Sequence, residues 1–142
     1  MRSVLAVLLI CIAPMSVSAE YLGDLSANEL NPNSVFNDIG PYGSLSPTSP
    51  RNPIGIYGSL ISPYSATNPI ATDAPRLYDQ QGNYRGKLST NTLDPDSISN
   101  PLGRYGSSIS PDSINNPLGA GNSIDPGSPK NPLGRGWRIE GR

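Results

Sequence analysis

The chain has no histidine, and its one cysteine, Cys11, lies inside an apolar run at the amino end. These absences close off several chemistries. Zinc and iron sites want imidazole or thiolate ligands, and neither remains beyond the first nineteen residues. Hydrolytic triads need a base beside the nucleophile, usually histidine. Lys87 and Lys130 are the only lysines, and no Ser-x-x-Lys occurs. The sequence therefore reads as that of a non-enzyme with no cofactor and no metal. Charge of one sign is missing too. From residue 20 onward there are nine Lys/Arg (ten less Arg2) against eleven Asp/Glu, a net −2. That balance offers no footprint for nucleic acid. Long hydrophobic runs are absent, as is any amphipathic pattern long enough for a three-turn helix.

What is present begins with an export signal. Arg2 supplies a short basic segment, Val4 to Ala13 is a ten-residue apolar run, and Val17-Ser18-Ala19 offers small residues before a cleavage point at Glu20. The run is too short to cross a bilayer, which needs about 20 residues. Residues 1–19 thus read as a signal peptide, leaving no transmembrane segment in the mature chain. The implied address is exported, periplasmic or extracellular. Loss of Cys11 with the signal leaves no disulfide, and there is no Asn-x-Ser/Thr acceptor, which together favour a bacterial envelope.

The remainder holds all fifteen glycines and all prolines but Pro14, a low-complexity composition that directs attention to internal repetition. Prolines preceded by Ser, Asp or Asn and followed two residues later by Ser fall at Pro32, Pro47, Pro63, Pro95, Pro111 and Pro126. Their intervals are 15, 16, 32, 16 and 15. A longer period overlies the short one: Tyr21–Ser44 aligns without gaps on Tyr84–Ser107, with 13 of 24 residues identical. The expected organisation is a first repeat half over 20–70, a junction with a degenerate unit over 71–83, and a second half over 84–142.

Within a unit, Ser/Asp/Asn before proline suggests a helix cap with proline at the first helical position. Asn52, Asn68, Asn100, Asn116 and Asn131 each precede another proline, which stops the turn. The expected fold class is accordingly low in regular secondary structure: tandem ~16-residue turn repeats, each one helical turn plus a short extended segment. These would form a thin solenoid-like stack or a partly disordered chain. Val35, Ile98 and Ile114 in the turn are expected to be its apolar anchors. So are Ile39, Ile54, Ile70, Leu102, Leu118 and Leu133 after the second proline, followed by Tyr42, Tyr57, Tyr105 and Trp137.

The motifs S-P-D-S-I-N-N-P-L-G (Ser110–Gly119), L-Y-D-Q-Q-G-N-Y-R-G-K-L (Leu77–Leu88) and N-P-L-G-R-G-W-R-I (Asn131–Ile139) resemble a group of small exported bacterial proteins with S-P-x-S-x-x-N-P-x-G-x-Y-G-S repeats. That resemblance implies an envelope address and no activity. The leading functional expectation is a structural or interaction protein of the bacterial envelope. Its partner would be an unknown protein or a cell-envelope polymer, and repeated weak contacts would add through multivalency. The alternative is a carbohydrate or cell-wall module that contacts sugar rings through the phased Tyr42, Tyr57, Tyr105 and Trp137. A disordered spacer is a second alternative. Lesser readings are calcium at Asp94-Pro95-Asp96 with Asn100, which lacks the spacing of a calcium loop, and a polyproline groove ligand at Pro47, Pro50 and Pro53. Ile139-Glu140-Gly141-Arg142 reads as a protease-cleavage tag without function.

Overall fold

The computed structural model describes residues 19–142. The signal-peptide reading of residues 1–19 lies, apart from Ala19, outside the described residues. Four short strands make one antiparallel sheet: β1 Tyr21–Leu25, β2 Arg76–Tyr78, β3 Tyr84–Lys87 and β4 Trp137–Glu140, in the order β1-β4-β2-β3. No helix occurs among the described residues. The expectation of helical-turn repeats in a thin stack or a partly disordered chain is therefore overturned. The chain is a small, ordered, β-rich domain.

The sheet interleaves the two halves. β1 and β2 bracket the first run of turns, and β3 and β4 bracket the second. Yet β4 pairs with both β1 and β2, and β3 pairs with β2. Leu77 of β2 faces Ile139 of β4 at the centre, and the order reads alike from either edge, giving the sheet approximate two-fold symmetry. The stretch 71–83 carries β2 and the hairpin loop into β3. Residues 139–140, part of the supposed cleavage tag, belong to β4, and Ile139 is wholly buried. Gly141 N–H donates to the Glu20 carbonyl at 2.8 Å, so the two described ends meet beside the sheet.

Equivalent devices recur on both sides. Gly23 and Gly86, each with positive φ, let Tyr42 and Tyr105 lie against the strand; a Cβ at either glycine would sit 2.7 Å from the tyrosine Cβ. Tyr21 meets Tyr42 edge-on at 5.1 Å, and Tyr84 meets Tyr105 at 5.4 Å. Both sheet edges are covered by the turn that follows: Ser34 bridges to Asp24, and Ser97 to Lys87. An edge strand covered in this way offers little template for a partner strand.

Between the strands the backbone closes a turn at nearly every third residue. From Asn31 to Gly58, every third N–H donates to the carbonyl three residues back, without a break. The corner residues are Ser, Asn or Gly, and a side-chain oxygen at the corner accepts the N–H two residues on. Ser49 accepts from Arg51 at 3.1 Å, and Asn52 accepts from Ile54 at 3.1 Å. This is why no helix propagates. Side chains capture the N–H groups that a helix would give to carbonyls, and proline removes others.

The core is thin, with a polar second layer. Leu22, Leu25, Val35, Tyr57, Leu77, Ile114, Trp137 and Ile139 form the apolar cluster, with Ile98 packed against it. Beside it, Ser34, Ser49, Ser65, Ser97, Ser113 and Ser128 are buried. Asn37, Asn52, Asn68, Asn100, Asn116 and Asn131 each donate Nδ2 to the carbonyl six residues earlier. Among the described residues every buried side-chain nitrogen or oxygen has a partner, as burial of polar groups demands.

The anchors divide. Val35 and Ile114 are buried as expected, but Ile39, Ile54, Ile70, Leu102, Leu118 and Leu133 are 80–98% exposed. The physical reason is their place two residues beyond the Asn corner. The corner asparagine turns inward to bind two backbone groups, and the residue it holds through its N–H is carried to the outer end of the turn.

Candidate interaction surface

The most unusual feature of the surface follows from those turns. Among the described residues twelve Leu/Ile side chains stand at least 80% exposed. Six follow the Asn corner of each unit: Ile39, Ile54 and Ile70, then Leu102, Leu118 and Leu133. Six more follow a second corner: Leu30, Leu45 and Ile61, then Leu93, Ile109 and Ile124. Scattered exposed aliphatics are ordinary. A side chain that recurs exposed at the same step of every unit is a property of the repeat, because the turn that holds it is the same each time. In the first set each backbone N–H is fixed by the preceding Asn Oδ1, at 2.9–3.2 Å. In the second set Asn28, Ser59, Asn91, Ser107 and Asn122 do the same. Gly43 occupies the corner before Leu45.

Glycine holds the tips at fixed height. After the Asn-Pro-Ile/Leu step, Gly55, Gly103 and Gly119 lie against the carbonyls of Pro47, Pro95 and Pro111; an added Cβ would come within 2.5–2.7 Å of those oxygens. The second set of six was missed in reading the sequence, because Leu30, Leu45 and Ile61 follow no fixed proline. Their signal is the three-residue spacing of Ser, Asn and Gly corners.

The phased aromatics are placed otherwise. Tyr57, Tyr105 and Trp137 are buried, at 3%, 8% and 3% exposure, and Tyr42 is half-buried against the core. They serve the interior of one domain and form no shared open face. Tyr57 donates its hydroxyl to Glu20 at 3.2 Å. Trp137 lies beneath the Arg85 guanidinium, 5.7 Å from the ring centre.

Charge is spent mostly inside the chain. Arg85 joins Asp79 at 2.9 Å and Asp112 at 3.3 Å, and Arg104 holds the other oxygen of Asp112 at 2.7 Å. Lys87 holds Asp94 at 2.9 Å. Asp94 also caps Asp96 N–H, while Asp96 accepts from Tyr84. Asn100 gives both its functions to the backbone. The oxygens weighed for calcium are engaged in these bonds, and no cluster of three metal-ligating side chains exists among the described residues. Burial pushes the Asp79 carboxyl up, but hydrogen bonds from Asn83, Arg85 and Gln81 outweigh it and hold the group below its usual value. Asp94 follows the same balance, with Lys87 opposing burial. Burial, then the hydrogen bond to Asp96, pushes the Tyr84 hydroxyl well up; Tyr21 is raised by burial and Asp24.

Two clefts border these groups. One, of about 110 Å³, is lined by Asp79, Arg85, Asp125 and Trp137. A larger groove of about 460 Å³ brings Leu30 of the first half beside Leu133 of the second, with Gln80 and Arg135. Among the described residues no helix is long and apolar enough to cross a membrane. No protein family, curated protein sequence or solved structure matches the chain.

Proposed function

We propose that this is an exported, non-enzymatic envelope protein whose working surface is the set of aliphatic turn tips. One observation carries the reading: twelve Leu/Ile side chains are held outward by a repeated hydrogen-bonding scheme. A chain that needed only to fold would gain by burying them, at about 2 kcal/mol each. Rigid turns keep them in water instead, and apolar groups exposed so regularly fit a contact surface. Equal tips at equal steps favour a partner bound through many weak contacts. The carbohydrate alternative leaned on open tyrosine and tryptophan faces, and Tyr57, Tyr105 and Trp137 are buried. The spacer alternative leaned on disorder, which the ordered sheet and turns displace.

The test is site-specific photo-crosslinking in cells that export the chain. A crosslinking residue at Ile54 or Leu118 is expected to trap a discrete adduct, while one at exposed Gln81 is not. Tips that trap nothing, or no more than Gln81 does, would remove the reading.

A further inference from the structure

We infer that the partner of the aliphatic tips is a second copy of this chain, and that each molecule carries two equivalent faces, so that copies join end on end. The inference rests on the reading of the tips as a contact surface and names what they contact.

The contact surface is duplicated. At one junction Leu30 of the first half and Leu133 of the second line a single groove. The 63-residue correspondence maps Leu30 onto Leu93 and Ile70 onto Leu133. The second junction is tied together in the structure: Asn91 Nδ2 donates to the Ala71 carbonyl at 3.2 Å, which sets the turn of Leu93 beside that of Ile70. Two junctions of the same composition, related by the approximate two-fold axis of the sheet, give each molecule two copies of one face. An isologous contact at a single face closes a dimer; the same contact at two faces continues into a chain.

Twelve tips shared between two equivalent faces give six to each, about 600 Å² at roughly 100 Å² per tip. The exposed prolines before Leu102, Leu118 and Leu133 extend this patch toward the about 800 Å² that one partner supplies to a stable interface. Tips of the same chemistry at the same sequence step are also suited to interdigitate with their own kind.

The other surfaces offer less. The sheet edges are covered, so addition of a strand from a neighbour is blocked. Many of the charges are paired within the molecule and the remainder nearly balance, so copies repel one another little. The tips are aliphatic, and no residue next to one in sequence is the Trp, Tyr, Lys or Arg of a lipid-surface anchor.

Sedimentation velocity from low micromolar to millimolar protein reads the assembly directly. The wild-type protein is expected to pass through dimer to progressively larger species. Leu30→Ser with Leu133→Ser disrupts one face at its junction and is expected to stop assembly at the dimer. Adding Ile70→Ser and Leu93→Ser is expected to leave a monomer. These side chains are exposed, so an unchanged amide spectrum in each variant shows that the fold is kept. A wild-type protein that stays monomeric across the range would overturn the inference, as would a two-residue variant that assembles like the wild type. A monomer that floats with neutral phospholipid vesicles would also overturn it, and would assign the tips to lipid. A monomeric protein whose tips still crosslink in cells leaves the contact-surface reading standing and removes only the second copy as partner.

Discussion

Asn116 offers the sharpest test of how the turns are held. Its Oδ1 accepts the N–H of Leu118 at 3.0 Å, its Nδ2 donates to the Ser110 carbonyl at 2.9 Å, and the residue is nearly buried. Alanine removes both bonds and leaves the Leu118 N–H without a partner, while the Ser110 carbonyl keeps the Ser113 N–H at 3.1 Å. At about 1 kcal/mol for each bond, with a further fraction for the stranded donor, Asn116→Ala should cost about 2.5 kcal/mol. For a domain of this size that is a fall of about 10 °C in Tm. Asn116→Ser separates the two bonds. Serine at the neighbouring corner, Ser113, accepts the N–H of Asn115 at 3.0 Å, so serine at 116 should keep the bond from Leu118 while falling short of the Ser110 carbonyl. It should recover about 1 kcal/mol. Asn116→Asp keeps the acceptor but turns a carboxylate oxygen toward the Ser110 carbonyl, and should be worse than serine at neutral pH. The assay is urea unfolding of the four proteins, followed by tryptophan fluorescence from Trp137. If alanine costs less than about 0.5 kcal/mol, the range of an ordinary surface substitution, or if serine and alanine are equal, the two-bond account of the corner fails.

Gly106→Ala should destabilise by more than about 2 kcal/mol, because its Cβ would collide with the Asn100 carbonyl, whereas Gly82→Ala, with open space around a positive φ, should cost only about 1 kcal/mol; thermal melts of both compare them. Ile54→Ser should change stability by less than about 0.5 kcal/mol because the side chain is exposed, while Val35→Ala should cost about 1–2 kcal/mol at a buried site; urea midpoints decide. Asp79 and Asp94 have folded pKa values below their unfolded ones. Their contribution is present above about pH 4 and is lost as pH falls through the lower folded values, so Asp79→Asn should flatten the acid limb of a stability–pH curve. Tyr84 is raised instead, so its contribution is present below about pH 10 and is lost as pH rises further; Tyr84→Phe should flatten the alkaline limb.

The corners of the turns were the legible part of the fold. Asn52, Asn100 and Asn116 before proline mark where a helix cannot continue, and Val35 and Ile114 sit buried where the unit phase put them. The sheet was hidden for a reason of length and distance. A strand of three residues such as Arg76–Tyr78 shows no alternation, and β1 finds its partner β4 at the opposite end of the described chain. The direction of the aliphatics was misread because a fixed apolar phase resembles a core. Only the bonds at the corner show that Ile54 is carried outward while Ser49 and Asn52 are turned in. Burial of serine and asparagine in place of leucine inverts the usual pattern, and it works because each polar side chain finds backbone partners. For the candidate surface, half of the tips were named, with the opposite role. The other half, Leu30 and Ile124 among them, lack the preceding proline that marks five of the first six.

Which side chains face water distinguishes outward turn tips from a packed core, and hydroxyl-radical footprinting of dilute protein measures that most directly. Oxidation is expected to be fast at Ile39, Ile54, Leu102 and Leu118 and slow at Leu22, Leu77 and Ile139, since the former are more than 90% exposed and the latter fully buried. Slow oxidation at the tips, at a concentration where the protein sediments as a monomer, would mean that they pack inward as a core and that the outward turns described above do not form.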